Sequence, residues 1–336
     1  MSLDFSSFSS RPILDGHVHV WANCDVSALW ETLTRTGAQR CNVLAIGDVQ
    51  AAGTYNAAAL RFKAAAEGRA YCFGGLDYAT HARGEIMRPD ELVQQVEQLW
   101  ALGFDGVKMW EGKPSVYVSL PDRLEGAVYA PFFAWLEAHE FPLLLHIADA
   151  PRLWDAARVG LERWLYVGAQ YPTRQALYAE LERILARHPR LRLIVAHLGF
   201  WWNELDEAAR FLDAHPTTMF DLTPGVEGFV QLSENVAAAR AFFLRYQDRL
   251  IYGTDIGAGV AVGATTTFDG EREAGQAWLV RAFLETDWAV PLPPGVGTIT
   301  NLFAGRHVCG LALPDEVLQK IYVENFERMV EVKSKK

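Results

Sequence analysis

Cysteine is scarce in this chain of 336 residues: there are four, Cys24, Cys41, Cys72 and Cys309, with no Cys-x-x-Cys spacing. That excludes a disulfide framework and a zinc ribbon, and reduced thiols in the cytoplasm are the simplest expectation. Positive charge is in deficit too, with 31 Lys and Arg against 41 Asp and Glu and a formal net charge of -10. No basic run offsets phosphate repulsion, so no nucleic-acid partner is expected and a small-molecule substrate is. No stretch approaches the roughly 18 apolar residues of a membrane span, and residues 1–10 are polar and Ser-rich, unlike a signal peptide. The expected protein is therefore neither membrane-bound nor secreted. A Gly-x-Gly-x-x-Gly turn after the first apolar run is also lacking, which ranks an open, doubly wound sheet low.

What the sequence does have is a rhythm of short apolar runs alternating with longer amphipathic ones, the pattern of βα units around a parallel sheet. Eight runs read as strands: 12–20, 40–47, 70–77, 104–109, 142–147, 191–197, 217–222 and 250–254. Helical patterns lie between them at 26–36, 56–67, 91–102, 131–139, 174–188, 204–215 and 235–247, and another follows at 275–286. Eight such units predict an α/β fold, a (β/α)8 TIM barrel, as a single domain over 1–336. Two segments break the short-loop rhythm, 149–173 after strand five and 256–275 after strand eight, and both are expected to wall the pocket. His139, His188 and His215 close helices just before strands, where a cation suits the helix dipole; they read as structural.

The chemistry gathers at the opposite ends of the strands. In Asp15-Gly16-His17-Val18-His19, side chains two apart on a strand share a face, so two imidazoles converge as half of a metal site. Further predicted strand ends carry Lys108, His146, His197 and Asp255. Each histidine alone reads more readily as a core residue, but a closed barrel brings all these ends into one ring, and chance does not readily place them there. Trp21, Trp110, Trp201 and Trp202 fall beside these residues. They suggest an apolar pocket for a cyclic or aromatic substrate, with Trp21, Trp110 and Trp201 among the substrate-binding candidates.

The order His17-x-His19, His146, His197-Leu-Gly, Gly-Thr-Asp255, closing with Lys320-Ile-Tyr-Val-Glu-Asn325-Phe, resembles the amidohydrolase superfamily. The amidohydrolase-2 group, which includes aminocarboxymuconate semialdehyde decarboxylase and related hydrolases and lactonases, is the most similar. The resemblance implies a divalent metal, zinc or else manganese, held by His17, His19, His146 and Asp255, with His197 as catalytic histidine or as a ligand of a second ion. Homodimers are common in that family. A bound divalent ion brings the pKa of water from 15.7 to about 7, and Asp255 can then take its proton. Lys108 is either a free amine that contacts substrate or, as in some relatives, a carboxylated bridge between metals. Decarboxylase relatives hold the substrate carboxylate with an arginine near strand two, where this chain reads Ile46-Gly47-Asp48-Val49-Gln50. The expectation is thus a metal-dependent hydrolase of a carboxylic ester, lactone or amide acting through metal-bound hydroxide. A non-oxidative decarboxylase of an aromatic or muconate-like acid is the alternative, and a metal-free lactonase stands third.

Overall fold

The computed structural model describes residues 3–49, 53–157, 165–223, 226–258, 268–293, 296 and 305–331. Nine parallel strands form one sheet: β1 (Ile13–Val20), β2 (Ala38–Leu44), β3 (Ala70–Gly74), β4 (Gly106–Gly112), β5 (Leu143–Ile147), β6 (Leu193–Val195), β7 (Thr218–Asp221), β8 (Leu250–Ile251) and β9 (Ile256–Ala258). Their order is β8-β7-β6-β5-β4-β3-β2-β1-β9. Only residues 252–255 separate β8 from β9, and these two pieces lie at opposite ends of that order, β8 on β7 and β9 on β1. They are one interrupted strand, and it brings the sheet back to β1. Two hydrogen bonds cross the interruption, Gly16 N–H to the Tyr252 carbonyl at 2.9 Å and Asp255 N–H to the His17 carbonyl at 2.9 Å.

This corrects the expected loop 256–275 at both ends. Ile256–Ala258 is strand, and a helix already begins at Gly270 because the Asp269 side chain accepts from the Glu271 and Arg272 amides. The middle of that loop, 259–267, lies outside the described residues, as does 158–164 of the fifth loop. The described part of the fifth loop has one short turn of 3-10 helix, Pro151–Trp154. An antiparallel pair that the eight-run pattern did not foresee joins Ala289–Pro291 to His307–Cys309.

Local signals account for the helices between strands. Val26–Thr36 starts where the Asp25 side chain accepts from Ala28 N–H and stops at Gly37, whose φ of 94° suits a residue without Cβ. Thr173 caps Arg174–Arg187 and Asn235 caps Val236–Arg245 in the same manner. Inside the sheet, Leu14, Leu44, Phe73, Leu144, Ile194, Met219 and Ile251 pack together with Phe326 and Met329 of the C-terminal helix. Seven strands thus contribute to one interior cluster, and Phe326 plugs it. The adjoining Asn325 is fully buried and donates to the carbonyls of Gln247 and Leu250, both at 2.7 Å. Polar and ionisable groups are left for the C-terminal ends of the strands. Among the described residues, no helix is long and apolar enough to cross a membrane.

Candidate metal centre

The β1 strand changes face partway along. A Cβ on Gly16 would lie 2.8 Å from Ile251 Cγ2 and 3.0 Å from the Tyr252 carbonyl oxygen, so this inward position accepts no side chain. Pairing with β2 then shifts register between Asp15 and Val18. The shift lets Leu14 pack in the interior while His17 and His19, of opposite parity, turn to the ring of strand ends. Asp15, expected on the face of the histidines, instead accepts from Thr254 Oγ1 at 2.5 Å and from the amides of His17 and Thr254 at 3.1 Å each. It ties β1 to the interrupted strand.

His17 Nε2, His19 Nε2 and Asp255 Oδ1 form a triangle with edges of 3.2, 3.4 and 3.2 Å. Among the described residues these three form a group whose ligand atoms all lie within 4.8 Å of one another. Ligands about 2.0–2.1 Å from a tetrahedral zinc would stand about 3.3 Å apart, so the triangle fits such an ion. Its electronics fit as well. His17 Nδ1 donates to Asp221 Oδ2 at 2.8 Å, which leaves a lone pair on Nε2. Burial, reinforced by the Lys108 charge, holds His17 neutral with its pKa pushed down to about 3. Burial alone would raise Asp255, but the His19 hydrogen bond and the neighbouring His17 and His197 outweigh it and hold the carboxyl well below its ordinary range. The His19 ring stacks on Trp21, centroids 5.0 Å apart and planes 9° apart. Asp255 is the open side of the triangle, its side chain 34% exposed.

Sequence reasoning missed the residue at the middle of the site, Asp221 at the end of β7. It is fully buried, and while Oδ2 holds His17, Oδ1 accepts from His197 N–H at 2.8 Å, Thr223 N–H at 3.2 Å and Thr223 Oγ1 at 2.5 Å. Burial raises its pKa, but His17 and His197 more than reverse that, so it stays ionised. The available signal was a carboxylate at the C-terminal end of a predicted strand. His197 begins a run of left-handed residues, with φ of 59° at His197, 51° at Leu198, 60° at Gly199 and 57° at Phe200. Arg174 and Tyr178 hold that turn by donating to the carbonyls of Phe200 and Gly199.

The structure brings the other expected residues together unevenly. His146 Nδ1 stands 3.2 Å from His197 Nε2, and its Nε2 faces the Ala148 carbonyl at 3.1 Å. Lys108 is 2% exposed, and its Nζ lies 3.4 Å from His17 Nε2, with its pKa pushed down to about 8 by burial. Behind it the fully buried Glu111 accepts from Tyr78 at 2.8 Å, and burial lifts its pKa to about 7. Trp110 donates to the Gly47 carbonyl at 2.7 Å. Trp201 is 4% exposed and packs on Tyr178, Phe211 and Phe220 rather than on the histidines. Trp202 instead lines a small apolar cavity with Leu198, Leu222, Thr223 and Phe229, beside His197.

The metal-fit triangle thus lies at the C-terminal ends of a ring of parallel strands, and the sequence comparison supplies the family. The amidohydrolase-2 family model, described as Amidohydrolase, matches residues 47–332, and the chain belongs to that family. The match begins after His17 and His19. No curated protein matches the sequence. Among solved structures, the chain is similar to an uncharacterized TIM-barrel protein of Bordetella bronchiseptica, with TM-score 0.55, 14% identity and coverage of 95% of this chain and 98% of that one. It is also similar to 5-carboxyvanillate decarboxylase of Sphingomonas paucimobilis, with TM-score 0.55, 12% identity and coverage of 96% and 100%. For 2,6-dihydroxybenzoate decarboxylase from Rhizobium the TM-score is 0.52 at 12% identity, with coverage of 95% and 98%. At these identities the likeness is one of fold.

Proposed function

We infer that this protein is a divalent-metal-dependent hydrolase of a small carboxylic ester, lactone or amide, with a cyclic or aromatic substrate favoured by Trp21, stacked on His19 at the site. The observation that carries this reading is the triangle of His17 Nε2, His19 Nε2 and Asp255 Oδ1, whose 3.2 to 3.4 Å edges match one tetrahedral ion. When bound, zinc or manganese supplies Lewis-acid polarisation and a water of lowered pKa. Asp221 keeps the proton of His17 on Nδ1, so that Nε2 faces the ion. His146, which stands outside the triangle and against His197, would be the candidate for a fourth ligand. Asp255, ionised and open to solvent, takes the proton of the attacking water. His197 Nε2, an acceptor in its resting form, would relay to the leaving group the proton that Asp255 takes from the water.

Decarboxylation of an aromatic acid is the second reading. Lys108 supports it, a buried amine beside the triangle whose hydrogen-bond partner is His17 Nε2, since a substrate carboxylate would meet it there. The named decarboxylases of the same fold are consistent with that chemistry. The test begins with the metal content of the purified protein and of the His17→Ala/His19→Ala double variant. About one equivalent in the parent, lost in the variant, is the expected result. Ester, lactone and aromatic-acid turnover is then followed in 18O-labelled water. Label in the product carboxylate identifies hydrolysis, whereas release of carbon dioxide identifies the decarboxylase. A parent that takes up neither zinc nor manganese would overturn both.

A further inference from the structure

The protons around His197 can be counted. Four close contacts run in a chain: Ala148 carbonyl to His146 Nε2 at 3.1 Å, His146 Nδ1 to His197 Nε2 at 3.2 Å, His197 Nδ1 to Thr223 Oγ1 at 2.7 Å, and Thr223 Oγ1 to Asp221 Oδ1 at 2.5 Å. Both ends are pure acceptors, a carbonyl and an ionised carboxylate. Between them, two neutral imidazoles and one hydroxyl offer three protons for four contacts. One contact must lack a proton, and the carboxylate end decides that it lies on the His146 side. A hydroxyl 2.5 Å from a carboxylate gives its proton to the carboxylate, the stronger, charge-assisted bond. The Thr223 oxygen then has only lone pairs to offer His197, so Nδ1 must carry the ring's proton. At the far end, the one proton of His146 serves either the Ala148 carbonyl or His197 Nε2, and in both cases His197 Nε2 is an acceptor.

We propose that Asp221 and Thr223 are positioning residues for His197, fixing its ring with the proton on Nδ1 and Nε2 free as an acceptor in the site. The position of the ring is set by the same pair. Asp221 Oδ1 also accepts from the His197 amide, in a stretch of backbone with φ of 59°, so one carboxylate anchors both the main chain and, through Thr223, the side chain. The second oxygen of Asp221 holds His17. One buried group therefore sets the tautomers of two histidines whose Nε2 atoms serve the same centre. The role in catalysis rests on the reading of His197 given above, while the tautomer itself does not.

The experiment is a long-range 1H–15N spectrum of protein labelled at histidine, recorded with and without zinc, with the His197 signals identified by their loss in His197→Gln. The parent is expected to show a protonated Nδ1 and an unprotonated Nε2 at His197. Thr223→Val should move the proton to Nε2 or mix the tautomers, while Thr223→Ser should keep it on Nδ1. Thr223→Ala replaces the valine variant if that does not fold. On any substrate found by the turnover screen, loss of the hydroxyl should lower kcat at least about tenfold with KM nearly unchanged, because the change lies in proton handling and not in binding. A parent with the proton on His197 Nε2, or a tautomer indifferent to loss of the hydroxyl, overturns the proposal. Correct tautomers without turnover of any tested substrate would instead count against the hydrolase and decarboxylase readings.

Discussion

Glu111 sits without exposure behind Lys108, its Oε1 accepting a hydrogen bond from the Tyr78 hydroxyl and its Oε2 lacking any hydrogen-bond partner. Such a carboxyl resists ionisation in the folded protein, where its pKa is about 7, more than in the unfolded chain, where it is near 4.5. Between those two values the folded state holds more protons than the unfolded state, so this group makes stability fall as pH rises from about 4.5 to about 7. Glu111→Gln removes that slope. Melting curves should show the Tm of the variant improving relative to the parent between about pH 5 and about pH 8; a constant gap would show that Glu111 ionises equally in both states. Lys108, whose pKa burial lowers to about 8, is the nearby base. Asp221 is the contrasting acid at this scale, as deeply buried yet ionised, because two histidines and a hydroxyl surround it.

At the scale of elements, the site is built where regular structure fails. The register shift in β1 turns His17 inward, the break between β8 and β9 presents Asp255 at φ 58°, and the left-handed turn after β6 presents His197. Left-handed backbone costs roughly 1–2 kcal/mol for a residue with Cβ, and the hydrogen bonds from Arg174 and Tyr178 offset part of that cost in the turn. Gly199 relieves it at one position. A Cβ there would stand 2.6 Å from Trp201 Cε3, in a backbone already at φ 60°. Gly199→Ala should therefore destabilise the protein by about 1–3 kcal/mol in urea unfolding and lower activity through His197, two residues away. An unchanged urea midpoint would mean that the turn relaxes freely.

Across the whole molecule, the triangle lies on the seam where the sheet returns to its start. His17 and His19 belong to β1, Asp255 to the interrupted last strand, and β9 pairs with β1 over only Val18 to Val20. An ion bound there would link the first and last strands and favour the folded state over the unfolded. Zinc at about 100 times its dissociation constant should stabilise the protein by about 2.7 kcal/mol, read as a Tm that rises with metal and drops with chelator. A Tm indifferent to both, or a rise that survives in His17→Ala/His19→Ala, would place the ion elsewhere.

Much of this was legible in the chain. The alternation of apolar runs fixed eight strands close to their observed places, because a strand buried on both faces needs a continuous apolar run wherever it sits. The histidines and Asp255 could be singled out because barrel closure brings strand ends together whatever the details of packing. The sequence could not place Asp221, since a carboxylate ending a strand looks the same whether it faces water or two imidazoles. Nor could it place Trp201, which stands next to the strand-six residues in sequence yet packs against Tyr178, Phe211 and Phe220. It also treated β1 as a regular strand, although the register shift is what separates Asp15 from His17 in role. Sequence periodicity records which residues are buried; tertiary structure alone decides which buried groups face each other, because those contacts join residues such as His17 and Asp221 that lie 204 positions apart.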